Sequence, residues 1–354
     1  MHMQKIFLFL LILFLQFKAN CQIGGLTSYA FLKLPSSART AALGGTLNSV
    51  IDEDVNQAFQ NPSLINQSMH NKLSMSAVNY FNDITFGDFS YALKVKKLST
   101  WVLGIHYINY GDIKGYDENA IFQGNVKAGE QCFYVGYGYQ FNKNIIFGSN
   151  FKFIASNLAG YISNAIALDF GTTYRSNDSL FTATILLKNM GAQMQRYYTG
   201  ALAEPIPYEV QIGISFKPKH MPIRFSFAGT NLQTQNTTFI NPNKPKKFDL
   251  DSGIEIPQTI PVAAKIFSHL TVGAEFIIMK KFYLQVGYNY RTRRDMVLED
   301  IKGVTGFSWG FGMRLKSFSF NYGSAQYHVG QTTNHFTLAL NLNEIKVKLF
   351  KKQK

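Results

Sequence analysis

From residue 72 onward, large apolar side chains recur at every second position, and the positions between them are small or polar. In residues 162–174, Ile162, Ile166, Leu168, Phe170 and Tyr174 share one parity, against Ser163, Ala165, Ala167, Asp169 and Gly171. In residues 307–315, Phe307, Trp309, Phe311, Met313 and Leu315 oppose Ser308, Gly310, Gly312 and Arg314. A period of two puts successive side chains on opposite faces of a strand, so each segment reads as a half-buried strand. Fourteen such segments can be placed: 72–80, 85–95, 100–110, 131–141, 144–156, 161–174, 180–188, 207–217, 222–230, 267–278, 281–292, 304–315, 317–324 and 334–343. Most approach the ~9–11 residues that a tilted strand needs to cross a bilayer.

The links between segments alternate in length. KKLS, FNKN, RSND, KPKH, MKK and KS are short, and most carry Lys. Between them fall longer links at 111–130, 189–206, 231–266, 293–303 and 324–334. Short turns at one rim and long loops at the other characterise outer-membrane barrels. The expected fold is therefore all-β, a transmembrane antiparallel β-barrel of about 14 strands. Its large apolar side chains face lipid, and its Gly, Ser, Asn, Gln, Asp and Arg face the lumen. Composition agrees: charged residues are 16% and aromatics 15%, with 31 Phe and 19 Tyr.

The formal charge of +14 would suit nucleic acid, but the basic residues sit mostly in short turns and form no stripe interleaved with aromatics. No nucleic-acid partner is expected. The expected partner is the lipid bilayer of the outer membrane.

Residues 1–22 read as a cleaved secretory signal. Lys5 precedes an apolar run at 6–17, too short to span a bilayer comfortably, and Ala19 stands at −3 if cleavage follows Cys21. A lipoprotein reading of Cys21 competes, although Lys18, Ala19 and Asn20 make a poor acylation motif. Cys132 is the other cysteine, so neither a disulfide framework nor zinc spacing can be built.

Residues 31–66 form a long part of the mature chain, ahead of the strand series, that does not read as strand. Pro35 with Ser36 or Ser37 signals a helix start, residues 38–43 form a helix well, and Gly44 and Gly45 stop it. Asp52, Glu53 and Asp54 place acid at the expected start of a second helix, which Asn61 and Pro62 end. We expect residues 23–71 to be a plug or hatch of short helices, residues 72–343 the barrel, and residues 344–354 a basic tail.

No GxSxG, Walker loop, HExxH or calcium loop is present, so no catalytic, cofactor or metal site is expected and the chain reads as a non-enzyme. Asp88, Asp169, Glu209, Glu275, Arg224, Arg291 and Arg314 are candidates for pairing across the lumen, and Arg39 for pairing with Asp88 or Asp169. Tyr107, Tyr110, Tyr197 and Tyr198 lie near strand ends, where an aromatic girdle is expected. Lys244, Lys246 and Lys247 form a basic patch in the longest loop, a candidate partner-binding site.

Two stretches carry a resemblance, GGLTSYAFLKLPSSARTAALGG at 24–45 and DEDVNQAFQNPSLIN at 52–66. With the barrel behind them, the chain resembles the PorQ proteins of the type IX secretion system of Bacteroidetes. These are related in architecture to PorV and the fatty-acid-transporter barrels. Phe31, Leu34, Pro35, Ser37, Ala38, Arg39, Ala42, Leu43, Gly44, Gly45, Asp54, Asn61 and Pro62 are the motif positions. The resemblance implies an outer-membrane component that anchors a partner of the cell-surface attachment machinery, with PorZ, PorU and PorV as partners. The alternative is a transporter of hydrophobic small molecules, which predicts an apolar pocket between plug and wall.

Overall fold

A computed structural model describes residues 27–81, 83–96, 98–234, 247–248, 255–256, 261–279, 281–296, 304–328 and 331–345. The expected signal at 1–22, Lys244, Lys246 and tail residues 346–354 lie outside these. Fourteen strands form a closed antiparallel barrel: β1 (Lys72–Asn79), β2 (Thr85–Lys96), β3 (Ser99–Tyr116), β4 (Phe122–Gln140), β5 (Ile145–Leu158), β6 (Tyr161–Arg175), β7 (Phe181–Gln195), β8 (Glu209–Phe216), β9 (Ile223–Gly229), β10 (Leu270–Ile278), β11 (Phe282–Asn289), β12 (Phe307–Arg314), β13 (Phe318–His328) and β14 (Gln331–Asn341). Each pairs with its sequence neighbours, and β1 pairs with β14 from Lys72 opposite Asn341 to Asn79 opposite Asn334. In the loop between β9 and β10, Lys247–Phe248 pairs with Glu255–Ile256 as a separate ribbon.

The two faces of the wall are inverted relative to a soluble barrel. Met75, Trp101, Leu103, Phe151, Phe170, Ile185, Leu284, Phe311 and Leu338 point outward, with Ile185 64% exposed. Their inward neighbours Ser76, Asn150, Asp169, Thr184, Gln285 and Thr337 are buried. A continuous apolar skin of this size would drive aggregation in water, whereas a bilayer satisfies it. Among the described residues no helix is long and apolar enough to cross a membrane.

The wall is uneven in height. β3 and β4 have 18 and 19 residues, while β8, β9, β10, β11 and β12 have only 7 to 9. The expected loop at 111–130 is therefore mostly strand, closed by a tight turn at 117–121, where Ala120 N–H donates to Asp117 O. The expected loop at 189–206 likewise begins as strand, through Gln195. At the short side the correction runs the other way. The segment expected as strand from 267 opens with helix α3 (Val262–Phe267), and β11 ends at Asn289, where its side chain caps helix α4 (Tyr290–Asp295).

The N-terminal segment lies inside the ring. It enters at the long-loop rim, where Ser28 N–H donates to Pro205 O, and leaves at the short-turn rim, where Asn71 N–H donates to Ala92 O. Helix α1 (Ala38–Ala42) starts at Ser37, whose Oγ accepts from Thr40 N–H, and Gly44 and Gly45 turn the chain at φ 90° and 88°. Helix α2 (Gln57–Gln60) is followed at Asn61 by a 3₁₀ turn, Pro62–Leu64. The acids do not open α2 as expected: its N-cap is Asn56, and its first turn carries no acid. Two lumenal glycines show how close the segment sits. A Cβ on Gly148 would overlap the Pro62 carbonyl, and one on Gly323 would overlap the Ala38 carbonyl.

Candidate functional site

Three neighbourhoods of the lumen concentrate chemistry. The first is an ion-pair knot around Arg39, which projects from α1 and is 2% exposed. Its guanidinium forks onto Glu275 of β10, Nε to Oε1 at 2.8 Å and Nη2 to Oε2 at 2.9 Å. Nη1 donates to Asp52 Oδ2 at 2.7 Å and lies 3.4 Å from Asp54 Oδ2. Arg224 of β9 reaches the same Glu275 Oε2 at 3.1 Å. Arg314 of β12 sits 3.6 Å from Asp52 and 3.3 Å from Glu53, and Lys72 also pairs with Glu53. Four bases meet four acids, which is how a buried charge cluster avoids an uncompensated ion. Burial pushes the Asp52 carboxyl up, but the Arg39, Arg314 and Arg224 guanidiniums outweigh it and hold the group below the usual carboxylate range.

The knot corrects several expectations. Arg39 pairs with Glu275 rather than with Asp88 or Asp169. Those two have their own partners: Tyr134 Oη lies 3.3 Å from both Asp88 oxygens, and Lys152 Nζ lies 2.7 Å from Asp169. Glu209 accepts from Asn231 N–H at 3.1 Å. Arg291 belongs to α4, where it pairs with Asp295 at 3.3 Å rather than across the lumen. The remaining motif positions touch the wall as follows. Ala38 N–H donates to Thr337 Oγ1, and Gly44 N–H to Ser308 Oγ, which itself donates to Ala42 O. Asn289 Nδ2 donates to Gly44 O, and Asn61 Nδ2 to Asn48 O within the segment. Phe31, Leu43 and Pro62 are buried, Leu34 packs against the apolar cluster, and Pro35 and Gly45 precede and follow α1.

The second neighbourhood is apolar and faces β1–β6. Tyr29, Phe31, Leu32, Val55, Phe59, Ile65 and Met69 pack against Val78, Phe86, Val102, Ile108, Cys132, Tyr134 and Ile154 of the wall. Phe59 stacks on His106 at 4.3 Å between centroids and carries Lys152 Nζ 4.6 Å over its ring. Lys188 Nζ donates to Gln60 Oε1 at 3.2 Å, and Asn150 Nδ2 to Ala58 O at 2.9 Å. Cys132 is a buried free thiol. Among the described residues no group of three or more His, Cys, Asp or Glu side chains has a metal-holding arrangement.

The third neighbourhood is a pocket of about 780 Å³ at the long-loop rim. The N-terminal segment forms one side with Thr27, Ser28, Tyr29 and Ala30. The tall strands and the link after β7 form the other, with Tyr110, Glu130, Tyr161, Tyr197, Tyr198 and Glu204 prominent. Tyr110 Oη donates to Glu130 Oε2 at 2.6 Å, Ser28 Oγ donates to Glu204, and Tyr197 and Ser156 hydroxyls lie 2.9 Å apart. Burial pushes the Tyr197 phenol up to about 12, so its hydroxyl stays protonated and can donate. Tyr110, Tyr197 and Tyr198 were expected in a lipid-facing girdle, yet they line this pocket. Tyr107 alone of the four shares the outward parity of Trp101 and Leu103. Sequence reasoning missed Tyr29, Tyr161, Glu130 and Glu204. The available signal was the alternation in Phe122–Gln140, which puts Glu130 and Cys132 on the same face. Of the loop patch, Lys247 falls in the two-residue ribbon, and its neighbours Lys244 and Lys246 lie outside the described residues.

No family model and no curated protein matches the sequence. Among solved structures, the chain is similar to the monoaromatic hydrocarbon channel TodX, as a deltaS2 mutant. The TM-score is 0.49 at 12% identity, over 86% of this chain and 96% of that one. It is also similar to the monoaromatic hydrocarbon channel CymD, with TM-score 0.48 at 11% identity over 88% and 97%. A more distant similarity is to CdiB from Acinetobacter baumannii, with TM-score 0.34 at 9% identity over 76% and 59%. What the chain shares with these proteins is barrel architecture.

Proposed function

We propose that this chain is a non-enzymatic outer-membrane barrel, plugged by residues 27–71, that takes up small apolar molecules through the pocket at its long-loop rim. The apolar outer skin, closed over fourteen strands, supports the membrane setting. The observation that carries the uptake reading is the pocket itself. It is about 780 Å³, wide enough for a small organic ligand, lies between plug and wall, and is lined by five tyrosines. Saturable binding of benzyl alcohol to the purified barrel in nanodiscs, followed by tyrosine fluorescence, tests it. Tyr110→Ala and Tyr197→Ala together are expected to weaken binding about tenfold, as loss of two aromatic contacts would. A linear, non-saturable response identical in the variant would sink the reading.

A second reading is favoured by the density of plug–wall contacts below the pocket. It makes the barrel a PorQ-like anchor of the type IX secretion system, holding a PorZ-, PorU- or PorV-type partner at its outer rim. In that case the long loop between β9 and β10, with Lys244, Lys246 and Lys247, is the contact. Deleting residues 235–260 should release a surface protein while the barrel still assembles, and unchanged surface attachment would remove this version.

A further inference from the structure

The rim pocket has a charge character that uptake of neutral hydrocarbons does not require. Two carboxylates line it, Glu130 and Glu204, and no lining residue is basic. This occurs in a chain of net charge +14, whose ion-pair knot around Arg39 balances its acids against bases. Glu130 is 3% exposed and accepts from the Tyr110 and Ser156 hydroxyls, both neutral, while Glu204 stands on the exposed link after β7. Neutral donors hold both carboxylates in place without cancelling their charge. Around them the tyrosines of the wall and segment offer aromatic faces, which attract cations. An anionic amphiphile would meet repulsion there.

Building on the uptake reading, we infer that the rim pocket selects organic cations, alkyl- or arylammonium compounds, with tyrosine faces against the apolar and methyl groups and Glu130 and Glu204 supplying the counter-charge. Arg196, the basic residue of the same link, is not among the residues that line the pocket; its Nη1 donates to Ala201 O within the link.

The full-length barrel in nanodiscs is titrated with benzyltrimethylammonium and, separately, with benzyl alcohol. The cation is expected to bind about tenfold more tightly or better, in line with cation–π and charge-assisted contacts. Glu130→Gln should bring the ratio of the two affinities down toward one, whatever change it makes to alcohol binding itself. Glu204→Gln, on an exposed link where folding is not at stake, should do so in part. Equal affinity for the two ligands, or a preference untouched in both variants, overturns the inference and leaves the uptake reading standing. If neither ligand binds saturably, the uptake reading itself fails and this inference falls with it.

Discussion

The lumen is gripped on two sides by different physics. Toward β1–β6 the N-terminal segment presents Phe31, Phe59, Ile65 and Met69 to an apolar wall. Toward β9–β12 it presents Arg39, Asp52 and Glu53 to Glu275, Arg224 and Arg314. Apolar contact is non-directional and grows with the area removed from water. A guanidinium fork on a carboxylate is directional and fails abruptly when either partner moves. One side therefore supplies adhesion and the other supplies register. The strand lengths follow the same division, since the apolar side includes the tall strands that carry the rim pocket and the ionic side is short.

The comparison breaks most sharply at Arg39. Arg39→Ala leaves Glu275, Asp52 and their remaining partners with an unbalanced buried charge, and should lower stability by about 3–5 kcal/mol. Urea midpoints of the barrel in detergent measure this, and an unchanged midpoint would mean that the knot does not hold the segment. Phe59→Ala comes next at about 3 kcal/mol, from lost burial plus the cavity left beneath His106. Acid then separates the two sides. Asp52 is held below its unfolded value of 3.8, so its contribution is fully present above about pH 4 and is lost as pH falls through the lower folded value. The cost of Arg39→Ala should therefore shrink on titration from pH 7 toward pH 2, while that of Phe59→Ala stays level. Parallel titration curves for the two variants would erase the distinction. The smallest effect is at Ser37, whose Oγ caps α1. Ser37→Ala should cost about 1 kcal/mol, visible as a small midpoint shift without loss of either contact set.

Strand parity was legible wherever one face meets lipid and the other meets the lumen. It failed in the upper parts of β3 and β4. There the hairpin stands beyond the height that lipid covers, both faces are wetted, and the apolar alternation fades. That is why Tyr116 and Phe122 read as loop. The motif around Arg39 was legible as a cap, a short helix and a glycine stop. Its ionic partner was not, because the register that brings Glu275 beneath α1 depends on how fourteen strands close and not on any local pattern. The rim pocket escaped for the same reason. Tyr29, Glu130 and Glu204 are far apart in sequence and meet only once the segment has crossed the lumen.

That crossing imposes an order on assembly. The chain descends from the long-loop rim to the short-turn rim before β1 begins, and the ring is sealed where β1 meets β14, the first strand and the last. A finished ring offers no route by which a segment so tightly set against Gly148 and Gly323 could be threaded afterward. Laying the segment across the growing sheet before its final strand arrives avoids that threading. In that order the segment serves as the mandrel on which the cylinder is rolled, and the β1–β14 seam is the joint that closes it.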